Sequence, residues 1–205
     1  MSAPLPSRNA ALGGPKLAAL FLLLAPLGWL VADIVLERLG ANPVETVLHR
    51  TGDWALRFLL LTLAVTPLRR VTGWLWPLRF RRMLGLVAFA YALLHALTWL
   101  VLDRGLVWDE VAADVLERPY VTLGFGAFAL LLPLALTSTR GMMRRLGRHW
   151  QRLHRSVYVA AALAVLHYVW LAKVERPEPI VYGVILLTLL LARLPLRGRT
   201  TPVGA

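Results

Sequence analysis

The sequence contains no cysteine. Disulfides, thiolate metal sites and cysteine-ligated iron–sulfur clusters are therefore excluded. Acidic residues are also scarce: 11 Asp and Glu stand against 23 Lys and Arg, for a formal net charge of +12. No carboxylate pair, nucleophile–base pair or glycine-rich phosphate loop stands out, so nothing points to independent catalysis by the chain's own side chains. Neither an internal repeat nor a low-complexity segment is visible.

What the sequence has in excess is apolar surface. Of its 205 residues 58% are hydrophobic, and mean hydropathy is +0.62, above the roughly half-apolar composition of a soluble domain. A strongly basic soluble protein would point to nucleic acid. Here the basic residues fall in short loops between apolar runs, which is a membrane-topology pattern and leaves no face for nucleic acid.

A helix needs about 20 residues to cross the hydrocarbon core. The segments 17–36, 52–68, 83–102, 120–137, 153–172 and 179–194 qualify. The expected fold is an all-α membrane protein, a six-transmembrane-helix bundle. A secretory signal is the competing reading of the first segment, because Arg8 and Lys16 precede it. Its length and the lack of an A-x-A site favour an uncleaved span. Pro26 and Pro133 lie inside spans, where neighbouring helices satisfy freed carbonyls. Asn42-Pro43-Val44-Glu45 reads as the start of a short interfacial helix before the second span, with an N-cap, a proline at the first helical position and an acid in the first turn.

The loops alternate in charge. Arg69, Arg70, Arg79, Arg81 and Arg82 fill the 67–82 loop, and Arg140, Arg144, Arg145, Arg148 and Arg152 the 138–152 loop, with no acid in either. The 103–119 loop carries Asp103, Asp109, Glu110, Asp114 and Glu117 against Arg104 and Arg118. Arg193, Arg197 and Arg199 lie at the C-terminal end. The positive-inside rule then puts both termini and both arginine loops in the cytoplasm, and the acidic, 37–51 and 173–178 loops outside. Trp54, Trp99 and Trp170 at outer ends and Trp150 at an inner end fit an aromatic belt. The expected division is a cytoplasmic tail 1–16, a transmembrane domain 17–195 and a cytoplasmic tail 196–205. With the chain stopping soon after the sixth span, no soluble nucleotide-binding domain is expected.

This topology fixes the depth of the histidines. The third span runs outward from Arg82 and reaches His95 13 residues later. The fifth also runs outward, from His154 to His167, roughly 20 Å at 1.5 Å per residue. His95 and His167 thus share a depth near the outer face, while His154 lies near the inner face. Two neutral imidazoles facing each other across a bundle are the axial ligands of a b-type haem. The competing reading is that each merely hydrogen-bonds a neighbouring helix. Intramembrane ionisable groups are costly and usually functional, and a depth-matched pair favours haem. His154 reads as part of a separate inner redox site. On a straight helix 13 positions turn a side chain by about 220°, so His154 and His167 do not share a stripe.

Other polar groups read more weakly. Arg82, at the depth of His154, is a positive-inside anchor or a partner for an inner haem propionate. His149 belongs to a solvated cytoplasmic face or contacts phosphate or propionate groups, and His49 lies on an exposed outer segment or approaches the outer haem's propionates or the partner docking face. Arg57 and Asp33 are expected to pair near the outer boundary.

The runs LHRTGDWALRFLLLTLAVTPLRR (48–70), RRMLGLVAFAYALLHALTWL (81–100), RPYVTLGFGAFALLLPLALTS (118–138) and WQRLHRSVYVAAALAVLHYVW (150–170) resemble the MsrQ family, also called YedZ. These are haem-binding membrane subunits of the bacterial methionine sulfoxide reductase system MsrPQ, within the ferric-reductase-like transmembrane superfamily. The similarity runs from about residue 15 to 195. It implies an inner-membrane, multi-pass protein taking electrons from the quinone pool. It passes them to MsrP, a periplasmic molybdopterin enzyme that reduces methionine sulfoxide in oxidised periplasmic proteins. It implies haem b and FMN as cofactors, with His95, His154 and His167 as the iron-ligating positions. The superfamily often has four histidines, two on each helix; the place of the fourth is Arg82 here, which puts the second ligand of an inner haem in doubt. No stretch reads as an FMN site. Haem iron carries one electron at a time, and a relay without a substrate pocket suits the histidine set. The catalytic site is expected on the partner. The competing readings are a self-contained haem reductase of metal ions or quinones, and a transporter or assembly factor with structural histidines.

Overall fold

The computed structural model describes residues 13–172 and 177–194. The expected C-terminal tail, most of the N-terminal one, Arg197, Arg199 and most of the 173–178 loop lie outside the described residues. Within them the regular structure is helical. In chain order the helices are α1 Gly13–Val35, α2 Pro43–Thr72, α3 Arg81–Leu97, α4 Trp108–Glu117, α5 Pro119–Leu136, α6 Arg140–Leu146, α7 Arg148–His154, α8 Val157–Leu171 and α9 Glu178–Leu191. A 3-10 turn, Trp76–Arg79, leads into α3, and a π-helical turn, Thr98–Asp103, extends it.

Three stretches are long and apolar enough to cross a membrane: Gly13–Val35, Arg81–Asp103 and Pro119–Leu136. α9 is apolar but shorter. Large apolar side chains such as Phe21, Trp29, Leu132, Leu166 and Leu187 point outward and are exposed, as a lipid-facing surface requires.

Several elements differ from the sequence expectation. The interfacial helix and second span are one thirty-residue helix, α2. Its start is as read: Asn42 accepts from the Glu45 N–H, and Pro43 opens the helix. The helix then runs through Thr51, whose hydroxyl folds back onto the Val47 carbonyl at 2.7 Å instead of ending it. It stops at Gly73, whose N–H bonds the Arg69 carbonyl, with Arg69 and Arg70 in the last turn where cations suit the helix dipole. The fifth segment, expected as one span, breaks at Arg155–Ser156 into α7 and α8. The straight-helix rotation between His154 and His167 therefore does not apply. The acidic loop contains α4, and the second arginine loop contains α6 and the start of α7.

The core lies where two tightly packed pairs meet, α2 with α3 and α5 with α8. Leu59, Leu63, Ala88, Tyr91, Ala160 and Ala161 are its most enclosed members. Ala160 and Ala161 let the backbones approach, as small residues do between membrane helices.

α1 is peripheral and buries only Leu30 and Asp33. Two devices attach it. Asp33 pairs with Arg50 on α2, not with Arg57 as the sequence suggested; Arg57 pairs with Asp53 one turn away at 3.5 Å. The second device is Tyr91. Its hydroxyl donates to the Leu23 carbonyl at 3.1 Å and accepts from the Leu27 N–H at 3.0 Å. Those two groups are i and i+4 around Pro26, where the proline ring loosens the helix. Tyr91→Phe leaves them without that partner, at a cost of about 1–3 kcal/mol. The expected outcome is a lower Tm in detergent and faster hydrogen exchange at the Leu27 amide. Unchanged exchange there would show that Tyr91 does not hold α1.

Candidate functional site

The four core helices enclose a cavity of about 460 Å³, within the roughly 300–1,000 Å³ of small-molecule and cofactor sites. Its body is apolar and built partly from small side chains, among them Ala92, Ala96, Ala127 and Ala164. Toward the end where α2 begins and α3 finishes it becomes polar, with Glu45, His49, Asp103, Arg104 and Asp114. His95 and His167 both line it.

The two imidazoles are set by matching devices. His95 Nδ1 lies 2.9 Å from the Leu48 carbonyl of α2, and His167 Nδ1 lies 2.6 Å from the Tyr120 carbonyl of α5. In both cases the carbonyl lies 47 positions before the histidine. Four residues after each carbonyl comes a glycine against which the ring packs. A Cβ on Gly52 would stand 2.9 Å from His95 Nδ1, and one on Gly124 would stand 2.8 Å from His167 Nδ1. Positions i and i+4 share a helix face, so carbonyl and glycine together form one seat for a ring. The α5–α8 pair thus repeats the α2–α3 pair at a constant offset along the chain. The sequence reading saw no repeat, because the likeness is carried by carbonyls, which any residue has, and by two glycines among fifteen.

A carbonyl only accepts, so each Nδ1 carries the proton and each Nε2 keeps a lone pair. The ring centroids are 6.1 Å apart with planes at 77°. Two metal–imidazole bonds of about 2.0 Å, with the half-ring beyond each, add to about 6 Å between centroids on a shared ion. Among the described residues no group of three or more His, Cys, Asp or Glu could hold a bare ion. Two imidazoles alone suit a cofactor that brings its own equatorial ligands, as haem does. These residues fit a haem. Among the described residues they do not fit FMN, whose phosphate needs basic partners: Arg104 already pairs with Asp103 and Asp114, and no other described arginine or lysine lines the cavity.

The remaining expected site residues fall elsewhere. His154 ends α7 and does not line the cavity. Its ring stacks on Trp150 with centroids 3.8 Å apart, Nδ1 lies 3.1 Å from the Trp150 carbonyl, and Nε2 is buried without a hydrogen bond. Arg82 is exposed at the start of α3, and neighbouring Arg81 is the arginine whose charge bears on His154. His149 is exposed, whereas His49 is half-buried on the cavity wall.

Sequence reasoning missed the seats at Leu48–Gly52 and Tyr120–Gly124, and it missed Asp114. That residue, counted among the loop acids, is buried and paired with Arg104 at 2.6 Å and with Arg118 at 3.1 Å. The signal for the glycines was their equal distance from the two depth-matched histidines.

A family profile described as "Ferric reductase like transmembrane component" matches residues 51–165. Over 173 residues the chain is 52% identical to the protein-methionine-sulfoxide reductase heme-binding subunit MsrQ of Herminiimonas arsenicoxydans, spanning 83% of this chain and 79% of that one. The subunit of that name from Rhodospirillum rubrum is 48% identical over 180 residues, 87% of this chain and 86% of its own. That of Xanthomonas euvesicatoria pv. vesicatoria is 54% identical over 154 residues, 75% and 71%.

The glycine seats give a direct test. In Gly52→Ala or Gly124→Ala the new methyl displaces a ring from its carbonyl, at about 1–3 kcal/mol for the lost bond and overpacking. Each variant is expected to bind less haem, or to show a weakened low-spin Soret band, while the Gly126→Ala control is unchanged. Normal spectra in both seat variants would remove the close approach from the design.

Proposed function

Because the chain belongs to the MsrQ family of the ferric-reductase-like superfamily, we propose that it is a membrane electron-transfer subunit using haem b. It takes electrons from the quinone pool and delivers them to MsrP, a periplasmic molybdopterin methionine sulfoxide reductase that repairs oxidised proteins. It resides in the bacterial inner membrane as six spans over residues 17–195, with both terminal tails cytoplasmic. The catalytic site lies on the partner. The observation that carries the reading is the facing pair His95 and His167, each with Nδ1 on a carbonyl, in one apolar cavity.

The chain's own residues do three things in this reading. The Leu48 and Tyr120 carbonyls hold the Nδ1 protons, so both Nε2 lone pairs serve the iron. Gly52 and Gly124 hold the ring positions. The small apolar lining excludes water and sets the dielectric in which a redox potential is tuned. Bound there, the haem supplies a one-electron carrier. His154 and Arg82 are assigned to a separate inner site; the burial of the His154 Nε2 supports this. FMN has no residues assigned to it.

Outside the bilayer, α4 presents Asp109, Glu110 and Glu117 exposed on its surface. These acids fit a basic patch on the soluble partner, and such steering is screened beyond about 8 Å at physiological salt. The functional test is reoxidation of the reduced haem protein on adding oxidised partner with methionine sulfoxide. Rapid reoxidation that slows with salt is expected. No reoxidation by the partner, with brisk reoxidation by ferric chelates, would favour a self-contained reductase.

Topology is tested separately. Reporter fusions after residue 110 are expected to read periplasmic and those after 145 or 200 cytoplasmic; the reverse would invert the proposed depths. His154→Ala is expected to keep the low-spin haem of the His95–His167 pair. Losing that haem would merge the two sites.

A further inference from the structure

Asp114 differs from its neighbours on α4. Asp109, Glu110 and Glu117 are exposed, whereas Asp114 is buried. Its two oxygens take different arginines: Oδ2 pairs with Arg104 Nε at 2.6 Å, and Oδ1 with Arg118 Nε at 3.1 Å. Arg104 caps the π-helical turn that extends α3, the helix of His95. Arg118 is the single residue between α4 and α5, and its Nη1 donates to the Tyr120 hydroxyl at 3.2 Å. The carbonyl of that same Tyr120 holds His167 Nδ1 at 2.6 Å. One buried carboxylate thus ties the end of the helix that carries His95 to the turn that seats His167. It does so at the polar end of the cavity, which Asp103, Arg104, Asp114 and Tyr120 line.

Stability alone does not account for this arrangement. A buried ion pair adds little net stability over apolar residues of similar volume; what it supplies is a fixed geometry. The geometry at stake here is the space between two imidazoles whose centroids are 6.1 Å apart. We propose, on the reading that His95 and His167 hold one haem, that Asp114 is a positioning residue for it. Through Arg104 and Arg118 it holds the end of α3 against the start of α5, and so keeps both imidazoles at the distance a shared iron needs.

With both axial places filled, a haem passes electrons and leaves no place for a small ligand; a slack seat would open one. The joint at Arg118 is where slack would arise. Pro119 fixes the first φ of α5, so the turn between the helices falls on Arg118. Backbone contacts hold the joint as well: the Arg118 N–H bonds the Asp114 carbonyl at 3.1 Å, and the Thr122 hydroxyl bonds the Val115 carbonyl at 2.5 Å. These remain when the Asp114 carboxylate is changed, so the helices keep their fold while the seat loses its tie to α3.

The test uses the full-length, haem-loaded protein in detergent, with carbon monoxide as the probe of an open axial place. Carbon monoxide binds the reduced haem only while one imidazole is off, so its apparent affinity scales with that fraction. Asp114→Asn is expected to raise the affinity about tenfold, the scale of one lost charge-assisted bond, and Asp114→Glu to return most of the way to wild type. Arg118→Ala is expected to give about the same rise, and the double variant no more than Asp114→Asn alone, because both act along one chain of contacts. Hydrogen exchange at the Thr122 amide, in the first turn of α5, is expected to quicken in both single variants and reads the turn without haem chemistry. If Asp114→Asn fails to take up haem, Arg118→Ala carries the test. A lower Tm in the variants, with the carbon monoxide affinity and Thr122 exchange of the wild type, would leave Asp114 a stabilising ion pair and overturn the positioning role while the haem reading stands. A wild type without a low-spin haem would overturn the haem reading, and the positioning role with it.

Discussion

The structure depends on a bond between a side chain and a distant backbone: an imidazole Nδ1–H held by a carbonyl of the facing helix, made twice. Such a bond needs the ring to lie against the partner backbone, so no side chain can stand there. Gly52 and Gly124 meet that requirement, and their helices pack most tightly on those that carry the histidines. The bond also fixes the tautomer, which leaves both Nε2 atoms for a metal. Cavity, facing imidazoles and helix pairing thus share one local geometry.

The two helix pairs use the same device, and the cavity forms where they face each other. Around it the chain meets its polar demands locally. Tyr91 serves the loosened turn at Pro26, Asp33 takes Arg50, and Asp114 takes Arg104 and Arg118. Each is a polar group that an apolar surrounding would penalise if left alone.

Much of this was legible in the sequence. Helices near 13–35, 81–103 and 119–136 follow from long apolar runs, and the cap at Asn42–Pro43 follows from side chains that act within one turn. Pairing His95 with His167 needed only the direction and length of two helices. What was not legible depends on partners far apart in sequence. Asp33 finds Arg50 and not Arg57 because α1 and α2 pack at that register, and apolar patterning does not encode it. The break at Arg155–Ser156 has no proline or glycine to mark it. The glycine seats were hidden because a carbonyl acceptor leaves no residue signature.

The central claim is that one haem sits between His95 and His167. It is tested most directly by the visible spectrum of the reduced protein in His95→Ala and His167→Ala, with and without added imidazole. The expected result is loss of the low-spin spectrum in each variant, and its return when imidazole enters the space the ring has left. A normal low-spin spectrum in both single variants without imidazole would contradict it.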